Sequence, residues 1–257
     1  MQKISFLVTE NEQSPNQVQI IGNYWKGSES KAIILLHMMP ATKESWNTFA
    51  EKINQAGFSV LAIDLRGHGE SVEVKSEKLK IKSLNYKDFN DKEHQESILD
   101  IDGAFKWLIE QGIAKKNIVI GGASIGANLS LQFMTQHPEV EKGLLLSPGL
   151  DYRGIQITPL IKQLQNGQKV FLVAAEDDAH SAQAIKELSK IEIIKVETKV
   201  YPTGGHGTTL FQTHPNLIDE LINWLNNEIN SIPAYRPRKV DHSKMQELFN
   251  TMKSYET

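Results

Sequence analysis

A three-layer α/β sandwich, with a mostly parallel central sheet and helices on both faces, is the fold that this sequence predicts. Two observations carry it. First, short apolar runs recur along the chain: "KAIILLH" (31–37), "FSVLAID" (58–64), "NIVIGG" (117–122), "VEKGLLLS" (140–147), "KVFLVAA" (169–175) and "IIKVETKVY" (193–201). Most are continuously apolar, as strands covered on both faces must be. Second, the segments between them carry apolar residues at helical spacing. Trp46, Phe49, Ala50 and Ile53 form one such stripe, Ile98, Ile101, Phe105 and Leu108 a second, and Leu217, Ile218, Leu221, Ile222 and Leu225 a third. Strand–helix alternation of this kind specifies a parallel sheet. The leading "SFLVTE" and "QVQIIGNYW" add an antiparallel hairpin at one edge.

Composition sets bounds on function. The 257 residues are 40% apolar and 23% charged, enough for one large core without staples. A net charge of −3 and the lack of a basic stripe argue against nucleic acid as a partner. The chain has no cysteine, so thiol catalysis, disulfides and cysteine-ligated metals are excluded. No stretch approaches a membrane span, and the N-terminal apolar patch is too short for a signal-peptide core. A cytoplasmic location is the expectation, although an exported protein with its signal removed fits equally well.

Two segments interrupt the rhythm. Residues 72–92 are polar and lysine-rich and read as an excursion over the surface. Residues 231–257 read as a tail after a main domain of residues 1–230. A linker, "SIPAYRPRK", opens it, and Met245, Leu248, Phe249 and Met252 at helical spacing follow. That short helix suits docking on its own domain, with a subunit-contacting arm as the alternative. The oligomeric state is not readable from the sequence.

"GGASIGAN" (121–128) places Ser124 on the turn between the strand "NIVIGG" and a helix beginning "SIGANLSLQF". A sharp strand-to-helix turn holds its serine at a strained φ/ψ and lifts the hydroxyl clear of the sheet. The residues two before and two after crowd together and must be small, which Gly122 and Gly126 satisfy. The first amides of the new helix favour negative charge at the hydroxyl.

"GASIG" resembles the G-x-S-x-G nucleophile elbow of the α/β-hydrolases. "DLRGHGES" (64–71) is similar to that family's D-x-R-G-x-G-x-S segment, and "LLHMMP" aligns with its His-Gly turn, with Met38 where glycine is usual. The likeness spans roughly residues 18 to 229. It implies an order of serine, acid, histidine along the chain. Among the downstream histidines, His206 in "YPTGGHGTTL" follows the last strand in a glycine-rich loop and fits the family's G-x-H-G pattern. In "AAEDD", Asp178 matches the acid position, with Asp177 the runner-up, Glu176 third, and Asp151 a minor alternative.

The resemblance therefore implies a serine hydrolase. Ser124 is the nucleophile, His206 the base and Asp178 its orienting partner. The backbone N–H groups of Ile125 and Met39 are the expected oxyanion donors, with Met38 next. Met38 and Tyr152 are candidate pocket residues. Asp64 and Arg66 read as structural, and His68 precedes the elbow and so breaks the order. The short stretch after Ser147 leaves no room for a helical cap, which favours a small or medium acyl substrate. No metal-binding or phosphate-binding motif is present, so no cofactor is expected. A carboxylic ester is the expected substrate. A thioester, amide or peptide substrate, or a catalytically silent binding protein of the same fold, are the alternatives.

Overall fold

The computed structural model describes residues 1–76, 82–191 and 196–227. The chain opens with an antiparallel hairpin of β1 (Gln2–Thr9) and β2 (Gln17–Trp25), then forms β3 (Ala32–Leu36), α1 (Asn47–Gln55) and β4 (Ser59–Ile63). The lysine-rich segment supplies β5 (Glu73–Lys75), β6 (Lys82–Ser83) and α2 (Asp91–Gln95), and α3 (Ile98–Glu110) follows. Next come β7 (Ile118–Ala123), α4 (Ile125–Gln136) and β8 (Lys142–Leu146). A small hairpin of β9 (Asp151–Tyr152) and β10 (Ile155–Gln156) leads to α5 (Ile157–Ile161). The chain then runs through β11 (Lys169–Ala175), α6 (Ala179–Leu188), β12 (Val196–Tyr201), α7 (Leu210–Thr213) and α8 (Asn216–Asn226).

Among the described residues, ten strands make one sheet in the order β12–β11–β8–β7–β3–β4–β2–β5–β6, with β1 on β2. Neighbours from β12 to β4 are parallel, while β2 and β1 join antiparallel, as the leading hairpin predicts. The period-2 alternation of strand side chains divides the core into two layers. Ile34, Leu36, Leu61, Ile63, Leu172 and Ala174 pack on one face against residues of α3, α4 and α6. Ile33, Leu35, Val60, Ala62, Phe171 and Val173 pack on the other against α1 and α8. Burial on both faces is why these strands read as unbroken apolar runs. Each wholly buried aliphatic side chain contributes about 1.5–3 kcal/mol against the chain entropy that opposes folding.

The segment at 72–92 differs from the expected surface excursion. Val74 is buried, β5 pairs with β2 and β6, and the Tyr86 ring stacks on His68 at 4.0 Å. Two- and three-residue strands are too short to show periodicity, so composition alone marked this segment as loop. The tail expected over 231–257, with its helix, lies outside the described residues, as does the start of the strand expected at 193. Residues Met1–Leu225 form one compact unit. No helix among the described residues is long and apolar enough to cross a membrane.

Two buried ion pairs tie the "DLRGHGES" loop to its surroundings. Arg66 and Asp100 are both buried; Nε and Nη2 of the arginine lie 3.0 and 2.8 Å from Oδ1, and the Arg66 N–H donates to Oδ2 at 2.8 Å. The rest of the guanidinium donates to the carbonyls of Thr9 and Glu10, which fastens the first hairpin. Asp64 accepts the Lys43 N–H at 2.8 Å, its ammonium at 2.7 Å and the Glu70 N–H at 2.9 Å. Burial disfavours the Lys43 ammonium, but its bonds to Asp64, Glu70 and Glu44 outweigh this and push it above the usual lysine range. A buried pair adds little over an apolar one, yet removing one partner strands a charge. Asp100→Ala is therefore expected to cost about 3–5 kcal/mol in urea unfolding; a loss within the scatter of surface substitutions contradicts the pairing.

Candidate active site

The carboxyl ends of five neighbouring parallel strands deliver the polar groups of the site. In sheet order, β12 leads to His206, β11 to Asp178, β8 to Ser147, β7 to Ser124 and β3 to His37. This edge of an open α/β sheet is where ligands bind.

Ser124 occupies φ +56°, ψ −122°, a region that side-chain-bearing residues rarely adopt. Strain of this kind costs on the order of 1–3 kcal/mol. Its own N–H is held by the Leu146 carbonyl at 2.9 Å. A Cβ on Gly122 would stand 2.0 Å from the Gly126 carbonyl oxygen, and one on Gly126 would stand 2.6 Å from that of Leu36. Strand, turn and helix thus meet closer than any side chain allows. Ser124 is only 7% exposed, at the mouth of a helix whose first N–H groups have no intrahelical acceptor.

Asp178 and His206 come together, with Oδ2 and Nδ1 2.7 Å apart. Burial pushes the Asp178 carboxyl up, but its contacts with Ser181, His206 and Ser147 prevail and hold it below the ordinary range. The neighbouring acids are engaged elsewhere. Asp177 accepts the N–H groups of Gly204 and Gly205 at 3.0–3.1 Å, which shapes the histidine loop and lowers its own carboxyl. Asp151 accepts the Gly154 N–H at 2.7 Å within the small hairpin, and Glu176 is exposed. Among the described residues, no hydrogen bond closes between Ser124 and His206. Such bonds often tighten only when substrate is bound.

Ser147 is the residue that sequence reading missed. It is buried at φ +48°, its hydroxyl accepts the Gly207 N–H at 2.8 Å, and it faces Asp178. His206 follows β12, which β11 and β8 separate from β7, so this bond draws its loop back across β11 to the end of β8. The only sequence signal was a serine closing an apolar strand before Pro148-Gly149. Asn128, buried one turn into α4, was also missed. Its amide donates to the carbonyls of Gly149 and Ile155 at 2.9 and 2.8 Å.

The turn after β3 is fixed by His37. Its Nε2 accepts the Leu65 N–H at 3.0 Å, so Nδ1 carries the proton and donates to the Met38 carbonyl at 2.9 Å. A trans peptide directs N–H opposite to C=O. The Met39 N–H therefore points away from His37, while the Met38 thioether lies against Gly207, next to His206. Among the described residues, no three His or carboxylate side chains group as a metal site needs.

His37 is fully buried and 4.8 Å from the His68 ring, whose Nε2 is buried without a hydrogen bond. Desolvation lowers both imidazoles to about 4, with their mutual repulsion adding to the effect on His68. An unfolded histidine, titrating near 6.5, takes up its proton first. Stability is thus complete above about pH 6.5 and is lost as pH falls toward about 4, by on the order of 3 kcal/mol for His37. Urea unfolding at pH 7, 5.5 and 4 should show this slope; equal stability at all three contradicts a neutral buried pair.

Fold and site define the class: the protein is an α/β hydrolase. Residues 27–174 match the family model described as serine aminopeptidase, S33, and the chain belongs to that family. No curated protein matches it. Among solved structures it is similar to the esterase Pf2001 of Pyrococcus furiosus, with TM-score 0.66 and 20% identity over 87% of this chain and 90% of that one. A CIB-like hydrolase from Thermoplasma acidophilum gives TM-score 0.60 and 20% identity over 88% and 98%. A carboxylesterase structure from Nitrososphaera gargenis gives 0.63 and 18% over 86% and 97%. At these identities the likeness is one of fold.

Proposed function

We propose that the protein is a serine esterase acting on small or medium acyl substrates. The Asp178–His206 hydrogen bond, at the same sheet edge as the strained Ser124, carries this reading. Ser124 Oγ attacks the acyl carbonyl as His206 Nε2 takes its proton, while Asp178 fixes the proton on Nδ1 and offsets the imidazolium charge. The oxyanion is received by the N–H of Ile125, at the open start of α4, and by that of Met39. His206 then returns its proton to the leaving alcohol, and water releases the acid by the same sequence. No cofactor enters.

The family description favours a second reading, an aminopeptidase. Holding a peptide's α-ammonium calls for a carboxylate beside the nucleophile that is free for the substrate. Asp178 is committed to His206 and Asp177 to two amides, which supports the ester. The short connection from β8 to β11, a small hairpin and one helical turn, supplies no cap domain among the described residues and suits a compact substrate.

Turnover of p-nitrophenyl esters, acyl thioesters and aminoacyl p-nitroanilides by the wild type and variants tests these readings. Esters should be cleaved fastest, with Ser124→Ala lowering kcat about 10⁴- to 10⁶-fold. Asp178→Asn should cost about 10⁴-fold, far more than Asp177→Asn. Undiminished turnover in Ser124→Ala removes the nucleophile assignment, and preference for the anilides moves the reading to the peptidase.

A further inference from the structure

The β9–β10 hairpin continues from the end of β8, whose neighbours in the sheet are β7, the strand of Ser124, and β11, the strand of Asp178. The Asn128 side chain, one turn into α4, holds both arms: it donates to the Gly149 and Ile155 carbonyls at 2.9 and 2.8 Å and accepts the Gly149 N–H at 3.2 Å. Arg153 and Gly154 turn the hairpin at φ +56° and +79°, and the Arg153 carbonyl accepts the Gln95 amide at 2.7 Å. Tyr152 is thereby fixed. Its ring lies so close over Gly149 that a Cβ there would stand 2.5 Å from the ring edge, and it meets the His180 ring at 5.4 Å. The half-buried ring thus bridges the end of β8 and the first turn of α6, which starts beside Asp178.

The two layers of the core reach the site from opposite faces of the sheet. Leu150, Tyr152 and Ile155 pack in the layer of α3, α4 and α6. The loop of His206 belongs to the other layer: Gly207 lies against the Met38 thioether, and Leu210 and Phe211, which follow, are buried with α1 and α8. An ester carbon at Ser124 Oγ has three further substituents. Its carbonyl oxygen goes to the N–H groups of Ile125 and Met39, and its alcohol oxygen to His206, which must protonate it. The acyl carbon takes the remaining direction, away from His206 and toward the layer of Tyr152.

We propose that the Tyr152 ring is the wall of the acyl subsite and sets the longest acyl chain the protein accepts. This rests on the esterase reading and narrows its substrate class to esters of short carboxylic acids, with the alcohol portion unrestricted by this ring. A ring seated on Gly149 in a hairpin tied to α4 does not swing aside, so a long acyl chain must either displace it or stay in water. Asn128 and Gly149 act through the tyrosine, as positioning residues.

Two substrate series test this. The p-nitrophenyl esters of acetic, butyric and octanoic acid vary the acyl side, and methyl, butyl and octyl acetate vary the alcohol side. The unmodified protein should prefer acetate and butyrate to octanoate. In Tyr152→Ala the octanoate-to-acetate ratio of kcat/KM should rise about 10-fold or more, since a single methylene admitted or refused by an apolar pocket is worth that much. The order within the alcohol series should stay as it is. Tyr152→Leu should give a smaller rise, and Tyr152→Phe, which keeps the ring, should keep the original ratio. A merely structural loosening would move both series together. An active protein whose ratio is the same with and without the Tyr152→Ala and Tyr152→Leu changes, or whose alcohol series shifts as much as its acyl series, overturns the wall and leaves the esterase reading standing. An unmodified protein that hydrolyses neither series overturns that reading, and the tyrosine's role falls with it.

Discussion

Between Gly122 and Gly126 the backbone of β7, the turn and α4 approach to distances that leave no room for a Cβ, and Ser124 is strained as a result. This close approach is what the remainder of the site is arranged around. It sets Ser124 beside the first free amides of a helix, and it seats that helix on the Leu36 and His37 carbonyls, beside the turn of Met38 and Met39. The same helix carries Asn128, so the hairpin that bears Tyr152 is referenced to the helix of Ser124 and not to a free loop. Strain of a few kcal/mol at one serine is tolerable because the layers on both sides of β7 are fully packed.

Polar groups buried at the sheet edge act as clamps. Asp64 gathers Lys43 and Glu70, Asp100 gathers Arg66, and His37 joins Leu65 to Met38; together they fix the loops after β3 and β4 to one another. Such networks add modest net stability but make a single arrangement far better than its neighbours. A preorganised site needs that property, since donors aimed at a developing charge help only if they need not move. On the opposite flank, Ser147 and Asp177 perform the same service for the loop of His206.

Much of this was legible in the sequence, for identifiable reasons. Strands buried on both faces show as unbroken apolar runs, and "KVFLVAA" coincides residue for residue with β11. The glycines around Ser124 and in "TGGHGTT" announce turns that only small residues allow, and of the three acids it is Asp178, the one the family resemblance selects, that lies against His206. What escaped was decided by long-range contacts. Ser147 and Asn128 look like ordinary polar residues closing a strand and interrupting an apolar helix, and their partners lie 60 and 21–27 positions away. The hairpin at 151–156 and the strands at 73–75 and 82–83 are shorter than any period a sequence can display.

Reaction of the folded protein with a fluorophosphonate, followed by peptide mapping of the adduct, tests the central claim most directly, because it asks whether a serine is activated before any substrate is chosen. The expected result is a single adduct on the peptide containing Ser124, abolished in unfolded protein. Modification at Ser147 or Ser181 instead, or none at all in a folded and accessible site, would contradict Ser124 as an activated nucleophile.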